Sequence, residues 1–454
     1  MITSTFTLRP FGRLKAAPQP PPYSIIHLFL YSCTLLFLPP LNLNLNLNLL
    51  PRSTRRDLPR CKSPARPAGT SLNLNLNLNL NLNLIMLLLT LNTFSRTGGI
   101  QQFNRCLQLA LCNYAAERGE KLVHLSLLDE PGKHDPQYGS GEHLTCRGFS
   151  NKKPAFILAA MAAVSASQTV IFGHVNLSPL ALLPGFAGKR CIMVAHGVEV
   201  WEKLPFLKKK GLGKMEAVWA VSQYTADKLA AVQGFPASRI HYFPNTLDPF
   251  FAKTPLLPSS EWNRHWRINP KGNYLLTVAR LSHTEVAKGY DEVIRALPSL
   301  SLKFPDITYI LAGKADDAEY TRIRNLADQL GVGSRLLMPG FVPEKWLPSL
   351  YHLAGVFVLP STKEGFGIVF LEAAWCGCAV VAYHSGGAPE ALFDGQIGTL
   401  VPPGNPQSLA DAISQSLLHP ANRQEILSFN QSLISSRFGF SQFCSRLSDV
   451  LSEK

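Results

Sequence analysis

Two carboxylates, Glu364 and Glu372, flank the stretch Gly365-Phe366-Gly367-Ile-Val-Phe-Leu371. Acids on either side of an apolar, glycine-rich segment are costly to bury without partners. Gly365 and Gly367 let backbone N–H groups come close to a ligand, and a helix opening there turns its positive end toward anionic oxygens. A carboxylate beside such an anion has to accept hydrogen bonds from hydroxyls, which makes sugar or ribose hydroxyls the natural partners of Glu372. Spacing alone argues less, because two acids eight residues apart are ordinarily a solvated helix face.

The elements that must position these groups follow from periodicity. Gly355–Pro360 is a continuous apolar run, the pattern of a strand buried on both faces, and it delivers the Glu364 turn to its carboxyl end, where open α/β sheets bind ligands. Leu275–Leu281, Ile307–Gly313 and Leu336–Phe341 repeat the theme around it. In the first half, Ile85–Leu91 reads as a buried strand leading through Gly98-Gly99 into an amphipathic helix that runs through Cys112. A glycine pair at such a turn often serves only as a tight connection. Val170–Phe172 and Ile192–Ala195 end near His174 and His196, with Glu199 and Trp201 just beyond, and Ala217–Ser222 and Ile240–Asp248 close the series. Residues 249–270 carry four prolines and two adjacent serines with no period, as an interdomain linker does. Strands alternating with helices, twice over, imply two doubly wound parallel sheets.

With Glu364 and Glu372 in place, the chain resembles the family 4 retaining glycosyltransferases of the GT-B fold, whose donor-site signature is an acid, seven residues and a second acid. Arg280, at the end of Leu275–Leu281, and Lys288-Gly289 match the family's basic pair, and Gly386-Gly387-Ala-Pro-Glu390 and Gly398–Gly404 match later loops. A longer spacer than in many relatives, Ser282–Ala287, separates the two cations. The resemblance covers about residues 86–450. It implies two Rossmann-like domains facing across a cleft: an acceptor-side domain at 86–255, a linker at 256–272, a nucleotide-sugar domain at 273–430, and a terminal helix at 431–454 packing back on the first domain.

It also implies roles. Arg280 and Lys288 would stabilise the departing diphosphate, an Arg through paired hydrogen bonds and a Lys as a point charge. Glu364 would contact the donor sugar, Glu372 the ribose, and His196 the sugar from the opposite domain. Gly98, Gly99, Gly365, Phe366 and Gly367 would line the diphosphate, with Gly313 and Val342 near the base. His174, Glu199 and Trp201 are cleft and acceptor candidates, although a structural histidine, a capping Glu and a core Trp explain such residues as well. The expected substrates are a nucleotide diphosphate sugar and a glycan or lipid-linked hydroxyl acceptor, with no metal and no other cofactor. A nucleotide-sugar epimerase or phosphorylase on the same fold, or a silent nucleotide-sugar-binding scaffold, are the alternatives; intact acids, Arg280 and His196 speak against the scaffold.

The first 85 residues are unlike the rest. Tyr23–Pro39 is apolar behind Arg9, Arg13 and Lys15, a layout that fits a signal or short anchor, whereas Leu41–Leu49 and Leu72–Leu84 are near-pure Leu-Asn alternation of the kind a translated short repeat gives. The preferred expectation is a disordered or spurious extension, with the functional chain starting at Met86. The formal charge of +14 is uneven: nine Lys or Arg and one Asp fall within 1–85, leaving +6 for the remainder. That modest excess, without an aromatic-interleaved basic motif, argues against a nucleic-acid partner. Lys208-Lys209-Lys210 beside Phe206 and Leu207 could touch anionic lipid, though such runs are commonly solvated loops. Nine cysteines without metal-ligand spacing fit reduced thiols in a cytoplasmic protein, peripheral at the inner membrane face if the lipid contact holds. Mass spectrometry of the native amino terminus should find no peptides from residues 1–80; finding them would overturn the Met86 start.

Overall fold

A computed structural model of the chain describes residues 85–256, 261, 272–418 and 423–452. The extension expected before Met86 lies outside these residues apart from Ile85, as does most of the linker expected at 256–272.

The first sheet contains β1 (Ile85–Thr90), β2 (Lys121–Ser126), β3 (Leu144–Gly148), β4 (Ser167–Phe172), β5 (Arg190–Ala195), β6 (Ala217–Ala220) and β7 (Ile240–Tyr242) in the order β3-β2-β1-β4-β5-β6-β7. The second contains β8 (Tyr274–Val278), β9 (Thr308–Ala312), β10 (Leu336–Gly340), β11 (Val356–Leu359), β12 (Ala379–Tyr383) and β13 (Thr399–Val401) in the order β10-β9-β8-β11-β12-β13. Every strand pairing is parallel, as alternating strands and helices require. Both orders reverse direction at the first strand of their sheet, between β1 and β4 and between β8 and β11, so each sheet opens a crevice there.

Strand alternation sorts the apolar residues into three cores. Leu87 and Leu89 pack on the outer face of the first sheet, and Val356 and Val358 on the outer face of the second. Met86, Leu88, Phe357 and Leu359 point the other way into one cluster shared by both halves. Strand β11 is buried on both faces, as its unbroken apolar run requires.

The carboxyl-terminal segment is two helices rather than the one expected: Arg423–Phe438 and Phe440–Ser452, divided at Gly439. The second returns to the first sheet. Phe443 sits edge-on to Phe103 and Phe243 at 5.7 and 4.7 Å, and Arg190 donates to the carbonyls of Leu451 and Val450 at 2.6 and 2.9 Å. A guanidinium on the last carbonyls of a helix satisfies acceptors that have no partner within it. Among the described residues no helix is long and apolar enough to cross a membrane.

Candidate active site

The carboxyl ends of the two sheets face one another, and the turn after β11 is where they touch. A Cβ on Gly365 would lie 2.0 Å from the carbonyl oxygen of His196, and one on Gly197 would lie 2.7 Å from the Cα of Gly365. No side chain fits either place, so two backbones approach as only glycine permits. On the other side of the turn, Gly387 N–H donates to the Glu364 carbonyl at 2.8 Å, which gives the Gly386-Gly387 motif a packing role.

Glu364 accepts from Lys288 Nζ at 2.8 Å, both side chains being largely covered. The two expected roles are thus coupled: Lys288 reaches the site already paired, and Arg280 stands exposed at the end of β8. Gly367 opens the helix Ile368–Trp375 with no side chain capping it, leaving first-turn N–H groups for a ligand.

Glu372, on the second turn of that helix, is only 3% exposed. Its Oε1 accepts from Gln102 Nε2 at 3.0 Å and its Oε2 from the Tyr351 hydroxyl at 2.9 Å. Burial, only partly offset by those two donors, pushes its carboxyl up to about 7. Gln102 comes from the first half, one turn into the helix Gly99–Arg118, so this carboxylate is read from both sides of the cleft. Arg105, one turn further on, reaches Glu344 at 2.7 Å.

The loop between β1 and that helix is tied down from below. Asp129, buried beyond β2, accepts from the backbone N–H groups of Thr93, Phe94 and Ser95 at 2.9, 3.1 and 2.8 Å. This fixes the approach to Gly98 and Gly99, and Gly99 in turn faces Ile368 at the start of the opposite helix.

His196 is buried, its Nε2–H donating to the Gly173 carbonyl at 2.8 Å and its ring edge-on to Phe103. Burial holds its pKa down at about 4, so the ring is neutral and leaves Nδ1 as an acceptor. His174 stacks on it at 6.2 Å and is likewise lowered to about 4 by burial; its Nδ1 accepts from Asn176 N–H at 3.0 Å, which leaves Nε2–H as a donor.

Four expected site residues sit differently from their expected roles. Glu199 is engaged by the backbone N–H of His196 at 2.6 Å, and Trp201 Nε1 donates to Thr225 Oγ1 at 3.3 Å beside the Tyr224 ring, so both help to build the turn. Phe366 is buried edge-on to Phe438, and the Val342 side chain lies in the shared core, because each follows a turn that points it inward. Phe341, half exposed beside Val342, lines a pocket of about 170 Å³ with Gly313, Lys314, Tyr320, Met338 and Gly340. Gly313 also lets β9 close over β8: a Cβ there would strike the Ala279 carbonyl, next to Arg280.

Gln102, Tyr351 and Arg322 carry no signal in the sequence, and Glu390 stands out there only as part of the Gly386–Glu390 motif. Arg322 grips Asp291 through Nη1 and Nη2 and Glu319 through Nε and Nη2, all at 2.7–2.8 Å, tying the helix beyond Lys288 to the wall of the Gly313 pocket. Glu390 accepts from the N–H groups of Gln223 and Tyr224 at 2.8 and 3.1 Å, so an acid of one half caps a helix of the other. Only the motif around Glu390 carried a signal, and it did not reveal its partner. Among the described residues no cluster of three or more His, Cys, Asp or Glu side chains gathers as a metal would need.

Fold and site together define a GT-B glycosyltransferase that takes its sugar from a nucleotide sugar. The model of the family described as glycosyl transferases group 1 matches residues 258–431. The GDP-mannose-dependent alpha-(1-6)-phosphatidylinositol monomannoside mannosyltransferase of Mycolicibacterium smegmatis is 33% identical over 272 residues, 56% of this chain and 68% of that one. The D-inositol 3-phosphate glycosyltransferase 2 of Catenulispora acidiphila is 32% identical over 192 residues, 41% of this chain and 44% of that one. In fold, Anabaena HepE in complex with UDP-glucose superposes with a TM-score of 0.67 over 82% of this chain and all of that one, at 21% identity. The chain belongs to the glycosyl transferases group 1 family and is a hexosyltransferase.

Glu372 supplies a pH test. A carboxyl raised from 4.5 to about 7 on folding costs stability as pH rises between those two values, where the unfolded chain has lost the proton and the folded one keeps it. Relative to Glu372→Gln, the wild type should lose about 3 kcal/mol of unfolding free energy from pH 4.5 to 7 and stay level above. Parallel denaturation profiles for the two proteins would remove the assignment.

Proposed function

We propose that this enzyme transfers a sugar, with retention of anomeric configuration and without a metal, from a nucleoside diphosphate sugar to a hydroxyl of a glycan or lipid-linked acceptor. The observation that carries this reading is the convergence on one turn of Arg280, the Lys288–Glu364 pair, uncapped helix N–H groups and Glu372. A diphosphate there meets Arg280 and the backbone donors, Glu364 meets sugar hydroxyls, and Glu372 accepts from ribose hydroxyls in place of Gln102. The Gly313–Phe341 pocket has the placement and the aromatic wall to take the base. His196 offers Nδ1 to the sugar from the other side. Transfer breaks the anomeric carbon–phosphate oxygen bond and forms the bond to the acceptor oxygen on the same face, and the acceptor proton passes to the departing phosphate.

We take 86–255 and 273–430 as the two domains, joined at 256–272, with 431–454 returning to the first. The phosphatidylinositol monomannoside named for the Mycolicibacterium smegmatis relative favours a lipid-linked acceptor. Exposed Phe206 and Leu207, 75% and 58% accessible beside Lys208–Lys210, give the first domain a surface suited to an anionic leaflet, and we assign the enzyme to the cytoplasmic face of the membrane.

Three measurements test this. Thermal shifts against UDP-, GDP-, ADP- and dTDP-sugars should show stabilisation by one nucleotide family, unchanged by EDTA, and Arg280→Ala or Glu372→Ala should lower turnover by about 100-fold or more; near-normal transfer by both variants would overturn the site. Wild-type protein should sediment with vesicles rich in anionic phospholipid, and changing Lys208, Lys209 and Lys210 together to Glu should abolish this. Unchanged co-sedimentation would remove the membrane contact.

A further inference from the structure

Lys288 sits on a backbone that is fastened on both sides. Gly289, at φ +75°, runs so close to the end of β11 that a Cβ there would lie 2.1 Å from the Pro360 carbonyl oxygen. Before Lys288, the Ala287 carbonyl accepts from the Thr362 N–H at 2.9 Å and from the Ser361 hydroxyl at 3.1 Å. The loop is thus docked on the turn that carries Glu364, and it passes directly into the helix Tyr290–Lys303.

The start of that helix is held by a charged pair that the donor reading does not use. Glu319 lies in the helix Asp317–Gln329 with its side chain fully covered. It accepts from the Tyr290 hydroxyl and, at 2.8 Å each, from Nε and Nη2 of Arg322. The same guanidinium donates through Nη1 and Nη2 to both oxygens of Asp291 at 2.7 and 2.8 Å. Tyr290 and Asp291, the first two residues after Lys288-Gly289, are therefore tied to one Glu–Arg pair. A covered carboxylate is costly without a partner, and Arg322 holds Glu319 below the usual carboxylate range in spite of its burial.

The same turn of helix borders the pocket proposed for the base. Asp317 and Tyr320, on either side of Glu319 in the chain, line it together with Gly313 and Phe341. Asp316 caps the helix, its Oδ1 accepting from the Glu319 N–H at 2.8 Å. One turn thus presents Asp317 and Tyr320 to the pocket while Glu319 and Arg322 grip the helix that Lys288 leads into. Apolar packing sets a distance loosely, whereas a guanidinium forked onto two carboxylates fixes both distance and angle.

We propose that Glu319 and Arg322 are positioning residues for transfer, holding Lys288 in register with the base pocket so that its ammonium meets the diphosphate of a nucleotide whose base is already seated. The inference rests on the proposed transferase function and adds two residues that need touch no substrate. Lys288 can pair with Glu364 unaided; the Glu319–Arg322 strut supplies the register between pocket and cation. Its effect passes through Lys288, so it disappears once Lys288 is gone, which a general contribution to folding would not do.

Calorimetric titration of the full chain with UDP, GDP, ADP and dTDP, each against its monophosphate, measures the affinity that the second phosphate adds. For the nucleotide that binds, Lys288→Ala should cut this advantage about tenfold, and Arg322→Gln should cut it by about as much while leaving the monophosphate close to its wild-type affinity. The double variant Lys288→Ala/Arg322→Gln should lose no more than either alone. Asp291→Asn breaks the strut from its other end and should repeat the result; thermal unfolding of each variant identifies those that fold, and Asp291→Asn carries the test if Arg322→Gln does not. Losses that add in the double variant, monophosphate binding weakened as much as diphosphate binding, or an advantage untouched by Lys288→Ala or by breaking the strut would each overturn the proposal. If no nucleotide binds the wild-type protein, the transferase reading fails; if nucleotide binds and the losses add, only the positioning assignment fails.

Discussion

Everything at the site depends on two backbones touching where neither residue has a side chain. The Gly197–Gly365 contact sets how near the strand ends of one sheet come to those of the other, and hence how far Gln102, His196 and Arg280 must reach. Backbone contact is stiffer than contact between long side chains, which lose rotamer freedom when they are held still. Around it, polar groups cross the same seam: Gln102 to Glu372, Arg105 to Glu344 and Glu390 to the helix start at Gln223. The shared apolar core lies behind them. The site is therefore a seam rather than a hole, and its geometry belongs to neither half alone.

The sequence made the fold legible because both sheets are parallel and buried on two faces, which leaves long unbroken apolar runs such as Val356–Leu359 ending in polar turns. It made the glycine-bracketed acids legible for a related reason: charged residues beside apolar ones demand an account. Contacts across the seam were not legible. Gln102 and Tyr351 are ordinary residues of ordinary helices, and only the facing of two sheets, hundreds of residues apart in the Gln102–Glu372 case, gives them a common carboxylate. Side-chain direction was equally hidden. Phe366 and Val342 stand beside residues that line the cleft yet turn into the core, and Glu199 caps a turn that no periodicity marks.

The buried Glu372 is a carboxylate held without a cation beside it. Its two neutral donors keep the oxygens aimed while burial raises the group, so a hydroxyl replacing Gln102, as proposed above, would meet an acceptor already oriented. Lys288 and Glu364 show the opposite arrangement, in which each neutralises the other.

The helix Phe440–Ser452 follows every element of the second sheet yet closes the first sheet's face through Phe443 and through its terminal carbonyls on Arg190. Domains generally fold in order as the ribosome delivers them. Here the aromatic cluster of the earlier half stays uncovered until residues 440–452 have followed the whole second half. Losing this helix alone would leave the turn after β11 in place and still leave the opposite half incomplete, so the first half is begun early and completed late.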